Sequence, residues 1–490
     1  LAETEVENDN GDLKYAEWFK VLLDEDMFNQ MKDKDPENTP ESMQEVEKWF
    51  LDYLKLLYRH IETRMGNTEL PAEKPWRTAL VEFIASVPST WSPHSTVAKF
   101  KQLLVRAGFE QYPHHSISVG FTEAEAAAVS TTVEAPGVFK ERDVILVCDV
   151  GGGTTDVNVL VVENVQEEDI TLKQLDVVQG RNIGSAQIDR TFEALALEHL
   201  SKIKFESSAN IDLHDIAWHM MKSREFQNAK CDHGSPDDTP IFSVPVTKLS
   251  SSYNNDEASI VNGAMQFTRS ELRELFDAQI DLLFDLLDRQ LQRFQESHPL
   301  QHVSHLVLSG GLGNSVYVQD QLRKRYGLGS NALNYGLEIK VQVAPEPQLA
   351  VCKGVVMNRM RKFKTGKGVL GWRCARASYG TICKIPYDQT NPLHVGRPRS
   401  QDPFTGSEYL ANAVEWFIHK GSPVNSDAPI SKYFTRKLFP GDLNRAFPTS
   451  IVVSHVDWES LPMQLNEDAQ ILCRIESDLS HVEEKHFKLV

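Results

Sequence analysis

Between residues 42 and 65, Val46, Trp49, Phe50, Tyr53, Leu54, Leu57 and Ile61 recur at helical spacing with charges between them. That pattern predicts an amphipathic helix packed on one face. Residues 80–87 form a short apolar run closed by Pro88 and are expected as a buried strand. A helix is predicted over 92–108, stopping at Gly108, then a strand over 117–120 and a helix opening at 124–130. The most regular stretch follows: 143–150 and 156–162 are rich in Val, Ile and Leu, with three glycines between them. Beyond it the pattern predicts a strand at 171–178, helices at 185–200 and 213–230, and a strand at 240–247. A long helix is expected over 268–296, opening on a Thr/Ser cap with Glu271 three residues on. Strand 303–309, helix 314–326 and helix 349–360 complete this portion. After about residue 365 the segments 378–385, 413–419, 451–456 and 471–475 are short and strand-like, divided by prolines and glycines.

Length and charge narrow the classes. A chain of 490 residues exceeds what one hydrophobic core covers, so two to four lobes are expected. Its 41% hydrophobic and 24% charged content suits a soluble globular protein. A net charge of −18 argues against nucleic acid and membrane surfaces as partners. The basic run at 359–367 is the local exception and reads as a solvated connector. No apolar run approaches membrane-spanning length, and the acidic, polar first ten residues do not resemble a secretory or transit peptide. Six scattered cysteines without CxxC spacing read as reduced thiols of a cytoplasmic protein. His114 and His115 lack ligand spacing, so a metal held by protein ligands alone is not expected. Because the chain begins at Leu1 rather than Met, it is expected to be a piece of something longer.

Three motifs carry candidate chemistry. The first is Asp149-Val150-Gly151-Gly152-Gly153-Thr154-Thr155-Asp156, between two predicted strands. Three glycines let successive backbone N–H groups turn toward a phosphate, the threonines add hydroxyls, and two acids can hold Mg2+ through its water shell. A plain glycine-rich turn is the alternative, although tight hairpins prefer two-residue turns and need no flanking acids. The second is strand 303–309 followed by Gly310-Gly311-Leu312-Gly313-Asn314-Ser315 and a helix, a strand–glycine–helix arrangement suited to a nucleotide. Val316 occupies the third glycine position of a dinucleotide fingerprint, so that rival fails, while a close-packing turn stays open. The third is Phe121-Thr122-Glu123-Ala124-Glu125-Ala126-Ala127-Ala128, which a helix start with acids at its positive end would also explain.

In this order and spacing the three motifs resemble the seventy-kilodalton heat-shock chaperone family of the actin-like ATPase superfamily. The likeness extends to Ala85-Ser86-Val87-Pro88 and to stretches at 180–192, 267–276 and 350–355, spanning roughly residues 15–365. It is nearest to a divergent branch that keeps the ATPase domain and has a short, unrelated tail. The resemblance implies an α/β fold of two lobes, each with a mixed sheet and helices, plus a small, mostly β C-terminal region. It implies a first lobe at 1–178, a second with the adenosine loop at 179–365, and the β-rich region at 366–490. It further implies ATP or ADP with Mg2+ as ligands and slow ATP hydrolysis. Glu123 and Asp149 would orient the Mg2+ water and the attacking water, with Lys20 as catalytic lysine. Gly151, Gly152, Gly153, Thr154 and Thr155 would hold phosphates, and Asp149 and Asp156 would support the metal. Gly310, Gly311 and Asn314 would line the adenosine, with Lys230 approaching from the other lobe, and Pro88 would link nucleotide state to lobe motion. Unfolded client proteins or cochaperones are the implied macromolecular partners.

The sequence departs from the family in three places. Residues 1–45, acidic and read as helical, hold nothing like its first phosphate loop, which is expected upstream. Its apolar, acid-bounded linker gives way to Arg361-Lys362-Phe363-Lys364-Thr365-Gly366, and the C-terminus lacks its acidic tetrapeptide. A pseudo-ATPase acting through partner binding is therefore the rival reading, and a sugar or glycerol kinase of the same superfamily a more distant one.

Overall fold

The computed structural model describes residues 4–7, 13–17, 19–36, 39–67, 75–91, 94–166, 169–203, 212–327, 339–403, 405–425, 428–434 and 445–482. It is a mixed α/β chain of several sheets and helices. Contacts divide it into two compact units, one of residues 1–172 with 178–370, the other of 173–177 with 371–490. Lys20 is expected within Trp18-Phe19-Lys20, and Trp18 lies outside the described residues.

The first unit opens differently from the helical expectation. Strands Thr4–Glu7 and Leu13–Ala16 pair as an antiparallel hairpin, and helices Phe19–Leu22 and Glu25–Lys34 follow. Each strand spans only four positions, Thr-Glu-Val-Glu and Leu-Lys-Tyr-Ala, too few to show an alternating pattern against an acidic composition. The predicted amphipathic helix forms at Met43–Gly66, capped by Ser42, and buries Val46, Phe50, Leu54 and Tyr58. Its buried face packs in one cluster with Phe19, Leu22 and Leu23, and with Phe100, Leu103 and Leu104 of helix His94–Ala107. That helix joins strands Val81–Val87 and His115–Thr122, which pair in parallel. The first of these is half-buried rather than buried, because Leu80 is exposed and Val87 alone is fully covered.

The larger sheet of this unit contains Lys340–Val343, Val303–Ser309, Val144–Val150 and Thr155–Gln166 in that spatial order. Val144–Val150 runs antiparallel to Thr155–Gln166 and parallel to Val303–Ser309, which in turn runs parallel to Lys340–Val343. Every side chain of Val144–Val150 is buried, Asp149 included, and the Val-Ile-Leu-Val start is what a central strand requires. Helices Glu123–Glu134 and Ala350–Thr365 pack so closely that a Cβ at Gly354 would overlap the Ala126 carbonyl. The helix predicted over 213–230 is two, Leu213–Lys222 and Arg224–Asp232. Ser223 leaves the helical region, and its hydroxyl caps the second at Phe226 N. The basic run at 359–367 is no connector: most of it forms the last turns of Ala350–Thr365, which ends on Gly366 at a φ of 78°.

In the second unit, five antiparallel strands stand in the order Arg399–Gln401, Glu408–Ile418, Ser378–Pro386, Ala446–Ser454 and Gln470–Asp478. Its core is small: Val414, Val452 and Ala469, with Ile382, Trp416 and Leu465 against them. Among the described residues, no helix is long and apolar enough to cross a membrane.

Candidate active site

The central hairpin turns at Gly151–Thr154, closed by Gly151 N donating to the Thr154 carbonyl at 2.9 Å. Strand Val303–Ser309 runs beside Val144–Val150 in parallel register, so Ser309 lies opposite Asp149 and both glycine turns leave the same end of the sheet. They interlock there. Leu312 N and Gly313 N both donate to the Val150 carbonyl, at 3.0 and 3.2 Å. Gly310 has a φ of 82°, and a Cβ on it would overlap that same carbonyl and crowd Asp149. A third segment closes on the first turn: Ala186 N, at the start of helix Ser185–Leu200, donates to the Gly152 carbonyl at 2.9 Å.

Three acids meet at this end. Asp149 and Asp156 are buried, and Glu123 is largely covered. Ser309 Oγ donates to Asp149 Oδ1 at 2.7 Å. The Ser89 backbone N–H donates to both Asp156 oxygens, at 3.1 and 3.2 Å, and its hydroxyl also donates to Oδ1. Ser89 follows Pro88, so the residue expected to report nucleotide state adjoins a direct tie to Asp156. Lys20 Nζ meets Glu123 Oε1 at 2.6 Å.

Burial, followed by the Glu123 charge, pushes the Asp149 carboxyl up to about 6, with Ser309 and Lys20 pulling against it. The same two causes hold Asp156 well above the usual carboxylate range, opposed by the Ser89 bonds. Burial works against the Lys20 ammonium, but Glu123, Asp156 and Asp149 together outweigh it and raise its pKa. The corner thus carries more negative charge than one lysine balances.

The two acids of the third motif part company. Glu125 forms the capping box of Glu123–Glu134: Thr122 N donates to Glu125 Oε2 at 2.8 Å, and Glu125 N to Thr122 Oγ1 at 3.3 Å. Glu123, two residues earlier, faces Lys20 instead. Thr155 is also committed elsewhere, its hydroxyl donating to the Ile183 carbonyl at 2.9 Å, whereas Thr154 stays within the turn. Lys230 does not pair with the three acids: it forms an ion pair of 2.5 Å with Asp189, both side chains about nine-tenths buried. Asn314 is exposed just before helix Val316–Tyr326, and its carbonyl accepts from Gln319 Nε2 at 3.1 Å.

Ser309 and Ser89 are functional candidates that the sequence reading did not single out. The signal was present in each case, a serine directly before Gly310-Gly311 and another directly after Pro88. Among the described residues, no group of three or more His, Cys, Asp or Glu is arranged to hold a metal ion directly. A hydrated Mg2+, which needs few protein ligands, would nevertheless suit this corner, because it relieves the burial and mutual repulsion that raise Asp149 and Asp156.

Comparison with known proteins bears on the other end of the chain. Residues 373–490 match a family described as a domain of unknown function, DUF8568. No curated protein matches the chain.

Proposed function

We propose that this chain binds ATP or ADP with Mg2+ in a cleft of an actin-like ATPase fold of the seventy-kilodalton heat-shock type, and hydrolyses ATP when its phosphate clamp is complete. One observation carries the proposal: two glycine turns leave the carboxyl ends of adjacent parallel strands, interlock at Val150, and enclose buried Asp149. Open α/β sheets bind ligands at the carboxyl ends of their strands, where connections leave in opposite directions. Here the chain leaves Val150 toward one neighbouring strand, while Ser309 ends the neighbour on the other side.

In this reading Gly151, Gly152, Gly153 and Thr154 cradle the phosphates, and Gly310, Gly311 and Asn314 border the nucleoside. Asp149 and Asp156 would hold Mg2+ through its waters; when bound, the ion offsets charge on the phosphates. Glu123 orients the attacking water and draws off its proton, and Lys20, already at Glu123, neutralises charge on the transferring phosphoryl group. Thr155 supports the turn through Ile183 rather than the ligand.

Titration calorimetry of the chain with Mg-ATP and Mg-ADP tests this. Binding that is lost in Asp149→Asn is expected, and absence of binding for both nucleotides overturns the proposal. A pseudo-ATPase acting through partner binding is the second reading, favoured by Lys20 and Lys230 both being engaged, with Glu123 and Asp189. Nucleotide binding without turnover in a form with the complete phosphate clamp, unchanged by Glu123→Gln, would select it. Client proteins and cochaperones remain part of the first reading and are tested only once nucleotide binding is established.

A further inference from the structure

Strand Gln470–Asp478 is the outermost of its antiparallel sheet, with Ala446–Ser454 as its neighbour. Among the described residues its other edge is unpaired. All nine residues are exposed, Ile471, Leu472 and Ile475 at 38%, 37% and 51%. Natural edges of this length are blunted by Pro, Lys, other charges or bulges; Gln470–Asp478 contains neither Pro nor Lys, is bulged at Leu472, and carries its charges, Arg474, Glu476 and Asp478, in the regular stretch beyond. Neither Arg474 nor Glu476 has an ion pair within the chain among the described residues.

We infer that this edge pairs with the same edge of a second copy of the chain, antiparallel about a two-fold axis. Parity limits the register. Over Cys473–Asp478, beyond the bulge at Leu472, the backbone groups facing outward belong to alternate residues, so an antiparallel pair of identical strands must centre on a residue, not between two. Centred on Arg474, the pairing sets two guanidinium groups opposite each other, and centred on Glu476, two carboxylates. Centred on Cys473, it carries the pairing into the bulge at Leu472 and leaves Arg474 without a charged partner. Centred on Ile475, it places Arg474 opposite Glu476 twice, Ile475 against Ile475, and Cys473 opposite Ser477. That register alone matches both charge pairs and buries an aliphatic contact on the axis. The interface is isologous and closes on itself, so it yields a dimer rather than a fibre.

Sedimentation equilibrium of the full chain over a range of concentrations tests this. A reversible dimer is expected, weakened about tenfold or more by Arg474→Glu or by Glu476→Arg, each of which sets like charges opposite each other at two sites. The double variant Arg474→Glu/Glu476→Arg recreates the pairs with reversed sign and regains the dimer, which also shows that the reversals do not unfold the sheet. Ser477→Cys, oxidised with oxidised glutathione, gives a covalent dimer through Cys473 in excess of the parent chain, because opposed residues meet disulfide spacing. A monomer at every concentration, a dimer indifferent to both reversals, or a double variant that stays monomeric overturns the inference. So does a monomer that instead takes an unrelated extended peptide along this edge.

Discussion

Ser309 donates its hydroxyl to Asp149 across two parallel strands, from the residue directly opposite in register, at 2.7 Å. The bond favours the ionised carboxylate, and Lys20 does the same from a greater distance. Removing either support, as Ser309→Ala or Lys20→Met, is expected to push the Asp149 pKa above its present value of about 6. Carboxyl-carbon NMR titration reads the shift directly. A fall in Ser309→Ala would show that the hydroxyl is not what steadies this charge.

Asp149 itself weighs against the fold at neutral pH. Its carboxyl titrates near 6 in the folded chain against an ordinary 3.8, so between those values the folded state holds a proton that the unfolded state has released. Stability from this group is therefore greatest below about pH 4 and falls as pH rises toward 6, at a full cost of roughly 3 kcal/mol. Asp149→Asn keeps an oxygen for Ser309 and removes the charge. It is expected to be more stable than the parent at pH 8, by about 1–3 kcal/mol, while losing Mg-nucleotide affinity. Urea unfolding at pH 5 and pH 8 separates this from ordinary damage, which would lower stability at both.

Glu123 and Glu125 offer a matched pair two residues apart. Glu125→Ala removes half of a capping box and is expected to lower stability by about 1 kcal/mol, with nucleotide binding retained. Glu123→Gln leaves the cap intact and removes the partner of Lys20 together with a charge that raises both aspartates. With the phosphate clamp complete, turnover falls in that variant alone if Glu123 handles the attacking water. Equal turnover in both variants would remove Glu123 from the chemistry.

The contrast between these two glutamates shows what the sequence could reveal. Thr122 three residues before Glu125 is a capping pattern readable from the letters, and so is the apolar spacing that became Met43–Gly66. Asp149 and Glu123 stood out because glycines and acids gather around phosphate chemistry. Long-range geometry could not be read the same way. Ser89 reaches Asp156 across 67 residues and Lys230 reaches Asp189 across 41, contacts that no local periodicity encodes. Ser223, by contrast, was a local cap hidden inside a helical pattern, because the apolar face continues on both sides of the break.

The Lys230–Asp189 pair offers a last test, because it separates a structural lysine from one that holds nucleotide. Both side chains are about nine-tenths buried, at 2.5 Å, and Asp189 Oδ1 also accepts from Gln227 Nε2 at 3.3 Å. Lys230→Met leaves that carboxylate buried without its cation, which is expected to cost about 3–5 kcal/mol. Adding Asp189→Asn removes the stranded charge, so the double variant should recover most of the loss, a coupling that a thermodynamic cycle measures. Nucleotide affinity in the double variant then isolates the second role. If stability is restored while affinity stays low, Lys230 exchanges Asp189 for the ligand on binding; if both return, the ion pair is its whole function.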